Sequence, residues 1–303
     1  MSTTLSTSSG IAYGVARVCR VWGIPRSSYY DWLKNESIPF EERPKRSRPG
    51  PAPAVSDEEL ESCIRDILER IEEDAGITGE GHRKVRFRLR QIGIHVSKER
   101  ALRVMRENGL LAPTRTARAR GPRVHDGTII TNLPDEMWGT DATTIGTAQD
   151  GNIWVFAATD HCTGECVGIH CAIRGTRFEA LVPIQEAILA RFGSVQTGAA
   201  VGLSVRHDHG TQYMSKHFQS ELRFLGVESS PSFVRQPQGN GVAERFFKTL
   251  KEQLLHVRTF DGVDDLYEAL KLFQQRYNDA WLVAKHKYKT PNQVRASLTP
   301  EAA

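Results

Sequence analysis

The stretch that decides the fold runs from residue 237 to residue 251 and reads PQGNGVAERFFKTLK. A proline and two glycines stand at its start, and because these residues are costly inside a helix they predict a tight turn. After Gly241 the apolar residues have helical spacing, which predicts a helix with one buried face. Glu244, Lys248 and Lys251 fall at i, i+4 and i+7 and share another face. This face suits a metal bound beside a phosphate, and the alternative is a solvated face with an ordinary Glu–Lys pair.

Two aspartates upstream are candidate partners for this glutamate. Asp141 lies inside a predicted strand, where burying an unpaired carboxylate is costly, so we expect it to have a partner or a metal. Asp208 ends a short predicted strand and is followed by a glycine turn, which is a common place for functional groups. Thirty-five residues separate Asp208 from Glu244. Three oxygen ligands from separate elements suit a hard cation such as Mg²⁺.

From residue 133 onward the pattern is that of an α/β domain. An Asp-Gly pair at residues 150 and 151 predicts a hairpin between the first two strands. The predicted strands cover residues 137–145, 152–159, 165–173, 203–207 and 227–230, and the predicted helices cover 178–192, 216–225, the Glu244 segment and 263–277. The order, a three-strand meander followed by crossover units, is that of the ribonuclease-H-like fold, a mixed sheet with flanking helices.

The chain before this domain is helical. Residues 11–35 are predicted to form two short helices around Gly23, which is consistent with a helix-turn-helix. A second and better helix-turn-helix candidate follows, in which Ser56 and Ser97 cap helices and Gly109 ends the last one. The predicted domains are an N-terminal helix-turn-helix-like segment (1–36), a basic Pro-rich linker (37–55), an all-α helix-turn-helix domain (56–112), a basic connector (113–132), the α/β core (133–260) and a C-terminal helix and tail (261–303).

Positive charge is concentrated in one segment. The chain has a net charge of +4, and residues 81–123 contain thirteen Lys or Arg against two Glu. This excess predicts a polyanionic partner, with a solvated basic surface as the alternative. The candidate DNA contacts in this segment are Arg83, Lys84, Lys98, Arg103 and Arg106.

Other patterns exclude several classes of protein. No run of about 18 apolar residues is present, so we expect no transmembrane helix. The polar N-terminus lacks a signal-peptide pattern, and five cysteines without framework spacing suit a reducing cytoplasm. Cys162 and Cys166 have histidine neighbours, but no second paired motif is present, so we do not expect a zinc site.

Taken together, these motifs resemble the retroviral-integrase-like (DDE) transposases of insertion sequences, and most closely the second-reading-frame (OrfB-type) product. Residues 207–213, HDHGTQY, are similar to the family's second-Asp motif, and residues 239–251 are similar to its Glu motif. Residues 81–111 are similar to its helix-turn-helix, and Tyr277-Asn278 with Thr290-Pro291 to its C-terminal end. Two departures, Arg206-His207 and the segment 281–286, put substrate contacts in doubt.

The resemblance implies both a site and a reaction. The catalytic and metal-binding residues would be Asp141, Asp208 and Glu244, which would hold two Mg²⁺ ions, with Mn²⁺ able to substitute. Lys251, Lys248, Asn240 and His209 would contact DNA, although Asn240 could instead cap its helix. The reaction would be hydrolysis at the ends of the element, followed by strand transfer by the freed 3′-hydroxyl.

The same resemblance implies the partners. They would be the double-stranded DNA of element ends and target, further copies of this chain on that DNA, and the first-reading-frame protein, in the bacterial cytoplasm at the nucleoid. Two alternatives stay open: a non-catalytic DNA-binding regulator, and an endonuclease on the same fold that lacks strand transfer. The presence of all three carboxylates favours catalysis over a regulator.

Overall fold

The chain forms two units, residues Met1–Ala54 and Val55–Ala303. The computed structural model describes residues 3–36, 38, 53–112, 130–232 and 240–298. The predicted linker (37–55) and connector (113–132) lie mostly outside the described residues, and so does the turn at 237–239. Among the residues described, no helix combines the length and the apolar character needed to cross a bilayer.

The first unit contains the predicted pair of short helices. Helix α1 spans Gly14–Val21 and α2 spans Arg26–Asn35, and Gly23 between them adopts a left-handed φ of 64°, which glycine tolerates without strain. Among the described residues of this unit only Cys19 is buried. Little apolar surface is therefore covered within this unit alone.

The second unit begins with a bundle of three helices, α3 (Asp57–Ala75), α4 (His82–Gln91) and α5 (Lys98–Glu107). The Ser56 hydroxyl accepts a hydrogen bond from the Glu59 amide at 3.1 Å, and the Glu59 carboxylate accepts one from the Ser56 amide at 2.8 Å. This reciprocal pair satisfies two amides that the helix leaves free. One apolar stripe from each helix forms the core, which contains Leu60, Ile64, Val85, Leu89, Ala101, Val104 and Met105.

A five-stranded mixed sheet follows the bundle. Its strands are β1 (Met137–Thr147), β2 (Gly151–Asp160), β3 (Cys166–Ala172), β4 (Ser204–His207) and β5 (Glu228–Pro231). The order across the sheet is β3-β2-β1-β4-β5, with β1, β2 and β3 antiparallel and with β4 and β5 parallel to β1. A meander joined to two crossover strands is the predicted ribonuclease-H-like fold, and this fold class is confirmed.

Helices cover both faces of the sheet. The helices are α6 (Arg177–Phe192), α7 (Lys216–Leu225), α8 (Gly241–Leu250), α9 (Val263–Ala280) and α10 (Pro291–Leu298). Strand β2 shows the division, because Phe156 and Ala158 pack with α6 and α7 whereas Val155 and Ala157 pack with α8 and α9. Each strand residue therefore belongs to one of two cores according to its parity.

Helix α10 was not predicted, although the sequence contains its signal. Thr290 and Gln293 form a reciprocal pair of hydrogen bonds around Pro291, the first residue of the helix. The helix is held by Arg295, whose guanidinium donates to both carboxylate oxygens of Asp135 at 2.7 and 2.9 Å and also to the buried Glu165. These ion pairs join the C-terminal helix to the start of β1 and to the β2–β3 turn.

The helical bundle is docked on the end of α9. Arg88 of α4 forms a bidentate pair with Glu80 at 2.7 and 2.8 Å and also donates to the Ala280 carbonyl at 3.1 Å. The Lys84 ammonium lies 2.9 Å from the centroid of the Trp281 ring, and Thr78 donates its amide to the Gln253 side chain at 2.8 Å. The bundle and the sheet domain are thus held together by polar as well as apolar contacts.

Candidate active site

Asp141 projects from β1 toward α8. Trp138, three residues earlier on β1 and so of opposite parity, packs with α6 on the other face, and Gly139 and Asp141 therefore face the α8 side. The carboxylate accepts a hydrogen bond from the Ala142 amide at 2.8 Å and is only partly accessible to solvent. Strand β1 is central in the sheet, which fixes the position of this carboxylate.

Asp208 lies beside Asp141 because of the register of the two parallel strands. Gly139 of β1 forms the last pair with Arg206 of β4; Asp141 stands two residues farther along β1, and Asp208 stands two residues on, just past the end of β4. Val205 belongs to the α6 core, so Asp208 also projects toward α8. The chain turns immediately after β4, and the Gly210 amide donates to Asp208 Oδ1 at 2.8 Å. The two aspartates therefore share one face and one level of the sheet.

Glu244 is carried to the same face by α8. Phe246, Phe247 and Leu250 bury one side of this helix against the sheet, and Glu244 stands exposed on another side of its first turn. Immediately after α8 the chain makes one π-helical turn, Lys251–Leu255. Such turns are rare and occur often at functional sites.

The charges of the predicted site act on one another. Burial raises the pKa of Asp141 from 3.8 to about 6, and the negative charges of Asp208 and Glu244 act in the same direction. The Lys251 ammonium acts in the opposite direction and favours the ionised Asp141. The three carboxylates and Lys251 are therefore close enough to form one electrostatic site.

The donor set fits a hard divalent cation. Three carboxylates provide oxygen ligands and no sulfur or imidazole, which suits Mg²⁺ or Mn²⁺. Within the described residues, no three His, Cys, Asp or Glu side chains are close enough to form a ready metal cluster.

Asn240 occupies a place that the sequence did not predict. Its side chain makes no capping hydrogen bond to α8, so the helix-cap interpretation is wrong. Instead the amide donates to the Thr140 carbonyl of β1 at 3.0 Å, and the residue is 6% exposed. Direct contact between this side chain and DNA conflicts with that burial.

His207 contacts the backbone of the turn that contains Asp208. Its Nδ1 lies 2.7 Å from the Asp208 carbonyl oxygen and its Nε2 lies 3.0 Å from the Ser229 hydroxyl of β5. Burial lowers the pKa of this histidine, which keeps the ring neutral. His209, by contrast, is exposed beside Asp208 and stays a candidate for DNA contact.

The candidate DNA contacts on α8 and the turn after it differ in their surroundings. Lys248 is exposed and lies 3.7 Å from Glu252, four residues along the helix, so its nearest acid is not Glu244. Lys251 is partly buried, and its charge acts on Asp141. Lys251 is therefore the lysine of this segment whose charge acts on Asp141, and Lys248 is not among the charges that do.

The candidate DNA contacts of the bundle separate into exposed and engaged residues. Arg83 and Arg106 are exposed, and Lys98 is exposed with Glu99 at 3.5 Å. Arg103 pairs with Asp57 at 2.6 Å and with Glu107 at 2.8 Å, as well as lying partly buried. These pairs reduce the availability of Arg103.

Lys84 is a correction to the predicted DNA-binding set. Burial lowers its pKa to about 7, and its Nζ is enclosed against the Trp281 ring without a hydrogen-bond partner among the described residues. The helical pattern placed this residue on a basic face, but docking of the bundle on α9 covers that face. An enclosed ammonium cannot reach a DNA phosphate while the bundle stays docked.

Family comparisons converge on this region of the chain. Two family models, both described as integrase core domain, match residues 131–237 and 225–291. Together they cover more than half of the chain and include Asp141, Asp208 and Glu244.

Curated relatives extend the similarity. The putative transposase InsD for insertion element IS2E of Escherichia coli (strain K12) is 26% identical over 203 residues, which are 65% of this chain and 90% of that protein. The transposase InsD for insertion element IS2A/D/F/H/I/K of Escherichia coli is also 26% identical over 203 residues, which are 65% of each protein. The match thus covers slightly less than two thirds of the longer relative.

Solved structures with weaker similarity come from retroviruses. A chain of the simian T-cell lymphotropic virus intasome in complex with PP2A regulatory subunit B56 gamma aligns with a TM-score of 0.44 and 18% identity over 72% of each chain. The HTLV-2 integrase catalytic core domain in complex with magnesium aligns with a TM-score of 0.40 and 18% identity, over 54% of this chain and 97% of that chain. Similarity at this level is too distant to transfer a site.

Proposed function

Because this chain belongs to the integrase core domain family and is related to insertion-element transposases, we propose that it is a DNA transposase whose site is formed by Asp141, Asp208 and Glu244. The observation that carries the proposal is the sheet register. The register supports the proposal because Asp141 on β1 and Asp208 just past the end of β4 follow the same last pair, on the side of the sheet that α8 covers. Three acids on one face are costly unless a cation compensates them, so the arrangement favours a metal-dependent enzyme.

The three carboxylates would hold Mg²⁺, or Mn²⁺ in its place, and two ions would fit the proposed chemistry. Bound cations would activate the attacking oxygen and stabilise the leaving oxygen of the phosphodiester. Asp141, with a pKa of about 6, is mostly ionised at neutral pH and is ready to serve as a ligand. Asp208 stands exposed just past the end of β4, and its Oδ1 accepts a hydrogen bond from the Gly210 amide at 2.8 Å.

The cations of the site would orient the DNA. Lys251, whose charge acts on Asp141, would contact a phosphate beside the scissile bond, whereas Lys248 and His209 would contact the backbone farther out. The chain provides positioning and charge, and no side chain is needed as a covalent nucleophile. Water would attack first at the element end, and the freed 3′-hydroxyl would then attack the target strand.

The helical bundle would hold the element end. Arg83, Lys98 and Arg106 are exposed cations at the predicted helix-turn-helix, and they suit the backbone of double-stranded DNA. We also propose that the chain assembles with further copies of itself on the DNA, because two element ends must be brought to one target. The first-reading-frame protein of the same element is a further candidate partner.

Substitution of Asp208 by Asn tests the proposal, because it removes one anionic ligand with little change in shape. Cleavage of a labelled element-end duplex in Mg²⁺ should fall by about a thousandfold or more, since metal stabilisation of the transition state is worth several kcal/mol. Binding of the same duplex in EDTA should be retained. Asp264→Asn, which changes an exposed acid at the start of α9, is the matched control.

The same duplex separates the proposal from its alternatives. A pre-cleaved end with a free 3′-hydroxyl should be joined to target DNA by the transposase, whereas an endonuclease would cleave without joining. A regulator would bind but do neither. Cleavage by Asp208→Asn at the rate of the control would overturn the assignment of the metal ligands.

A further inference from the structure

Asn240 links the two elements that carry Asp141 and Glu244. It stands at the entrance of α8, four residues and about one turn before Glu244, and its amide donates to the carbonyl of Thr140, the residue before Asp141. At 6% exposure it is inaccessible to a bulky partner such as DNA. Its place in the fold therefore indicates a contact within the protein.

Gly139 leaves the space that this side chain fills. A β-carbon built on Gly139 would lie 2.5 Å from Asn240 Oδ1 and 2.8 Å from His161 Nε2, distances that side chains do not tolerate. A glycine inside a strand often marks the close approach of another group, and here that group is the Asn240 amide. Gly139 lies two residues before Asp141 on the same face of β1.

His161 closes the other side of this space. It is 4% exposed, its amide donates to the Met137 carbonyl at 2.9 Å, and its own carbonyl accepts from Lys285 Nζ at 3.3 Å. Its Nε2 and Asn240 Oδ1 approach each other over Gly139, and neither has a well-aligned hydrogen-bond partner among the described residues. A neutral ring protonated at Nε2 offers the one donor that Oδ1 lacks.

Glu244, in contrast, has little of its own to hold it. The structure describes no hydrogen bond or ion pair between its carboxylate and the other described residues, and the side chain is exposed. The position of its carboxylate relative to Asp141 therefore depends on where the first turn of α8 sits against β1. The amide of Asn240 makes a direct polar contact between that turn and the strand.

We propose that Asn240 is a positioning residue that, together with Gly139 and His161, locks the first turn of α8 to β1 and so holds Glu244 where it can share bound cations with Asp141. The proposal rests on the function proposed above. It assigns to Asn240 a role inside the protein in place of a contact with DNA, and it gives Gly139 and His161 a role in the same lock.

Metal binding is measured directly, without reference to activity. Mg²⁺ or Mn²⁺ is titrated calorimetrically into the folded full chain below its melting temperature, and the metal concentration at half saturation, the half-maximal metal concentration, is the readout. Asn240→Ala removes the lock, Asn240→Asp keeps the shape but loses the donor, and Gly139→Ala displaces the amide while leaving Asn240 in place. Each should raise the half-maximal metal concentration by about tenfold or more, the effect of losing a residue that orients metal ligands.

Two matched controls separate positioning from general stability. Asn278→Ala removes a buried amide that binds the backbone of Cys166 at 2.9 and 3.0 Å, on a helix that carries none of the three carboxylates. Gly146→Ala adds a β-carbon to the same strand, where its nearest neighbour is Asn152 Oδ1 at 3.7 Å. The controls should leave the half-maximal metal concentration unchanged, even where Asn278→Ala lowers the melting temperature.

The outcomes separate this inference from the proposed function. If Asp208→Asn abolishes the metal response but Asn240→Asp and Gly139→Ala behave as their controls do, the lock is refuted and the transposase site stands. If Asp208→Asn leaves the metal response intact, the proposed site itself fails. Should Asn240→Ala fail to fold, Gly139→Ala and Asn240→Asp still decide, because each perturbs the lock through a different atom.

Discussion

Replacing Asp141 by Asn should stabilise the metal-free protein at neutral and alkaline pH. In the folded protein, burial and the charges of Asp208 and Glu244 raise the pKa of Asp141 from 3.8 to about 6. The folded state therefore binds a proton more tightly at this carboxylate than the unfolded state does. The free energy of unfolding of the wild type therefore decreases as pH rises from about 4 to about 6, and above about pH 6 this loss of stability is complete.

The size of this deficit follows from the pKa. A rise from 3.8 to about 6 corresponds to about 3 kcal/mol, since each tenfold change in acidity is worth about 1.4 kcal/mol. This value is an upper limit, because the carboxylate is partly accessible and water can relax around it. For a domain of this size the variant should melt a few degrees and up to about 10 °C higher than the wild type.

Thermal unfolding at pH 4 and pH 8, each in EDTA and in Mg²⁺, tests this reasoning. In EDTA the advantage of Asp141→Asn should be small at pH 4 and large at pH 8. In Mg²⁺ at pH 8 it should shrink or reverse, because only the wild type gains from the cation. Equal melting temperatures at pH 8 in EDTA would refute the idea that the burial of Asp141 near two other acids destabilises the metal-free protein.

Two further predictions concern the ion pairs of the C-terminal helix and the DNA contacts of the helical bundle. Arg295→Ala leaves buried Glu165 without one of its cations and should lower the free energy of unfolding in urea by on the order of 3 kcal/mol. Arg258→Ala, which breaks an exposed pair, should lower it by about 1 kcal/mol or less. Equal losses for the two variants would count against the C-terminal anchor. Arg83→Ala should weaken binding to duplex DNA and reduce the slope of the logarithm of the binding constant against the logarithm of the salt concentration by about one. Lys84→Met should change neither the binding constant nor this slope. Fluorescence anisotropy over a range of salt measures both variants, and an equal loss for Lys84→Met would show that this lysine reaches DNA.

Much of the fold was predictable because it depends on local patterns. Strand alternation, the Asp-Gly hairpin and the helix caps at Ser56 and Ser97 are encoded by neighbouring residues. The predicted bounds of the strands and of α6, α7 and α9 accordingly differ from the structure by a few residues at most. Helix α10 was not predicted, although the capping box around Pro291 is a signal for the start of a helix. The segment is short, and it was interpreted only through its resemblance to the C-terminal end of the family.

The site was predictable in its acids but not in their support. Asp141, Asp208 and Glu244 have a spacing that the sequence shows, and their place in the catalytic mechanism stays a prediction. The partner of Asn240 depends on the register of β1 against β4 and on the docking of α8, which no local pattern encodes. Lys84 was placed on an exposed face because helical periodicity does not reveal which face a neighbouring domain covers. Gly139 is a glycine inside a strand, which indicates that another group approaches closely, but the sequence does not show which group it is.

The anchoring of the three-helix bundle to α9 sets a fixed offset within the molecule. Arg88, Lys84 and Thr78 tie the bundle to the segment around Ala280 and to Gln253, so it cannot swing away without exposing an ammonium and a guanidinium pair from their enclosed places. If the bundle holds the element end as proposed, the interval between the base pairs that it contacts and the phosphodiester at the carboxylates would be set by the folded protein. The contacts of Arg88, Lys84 and Thr78 would then fix this spacing.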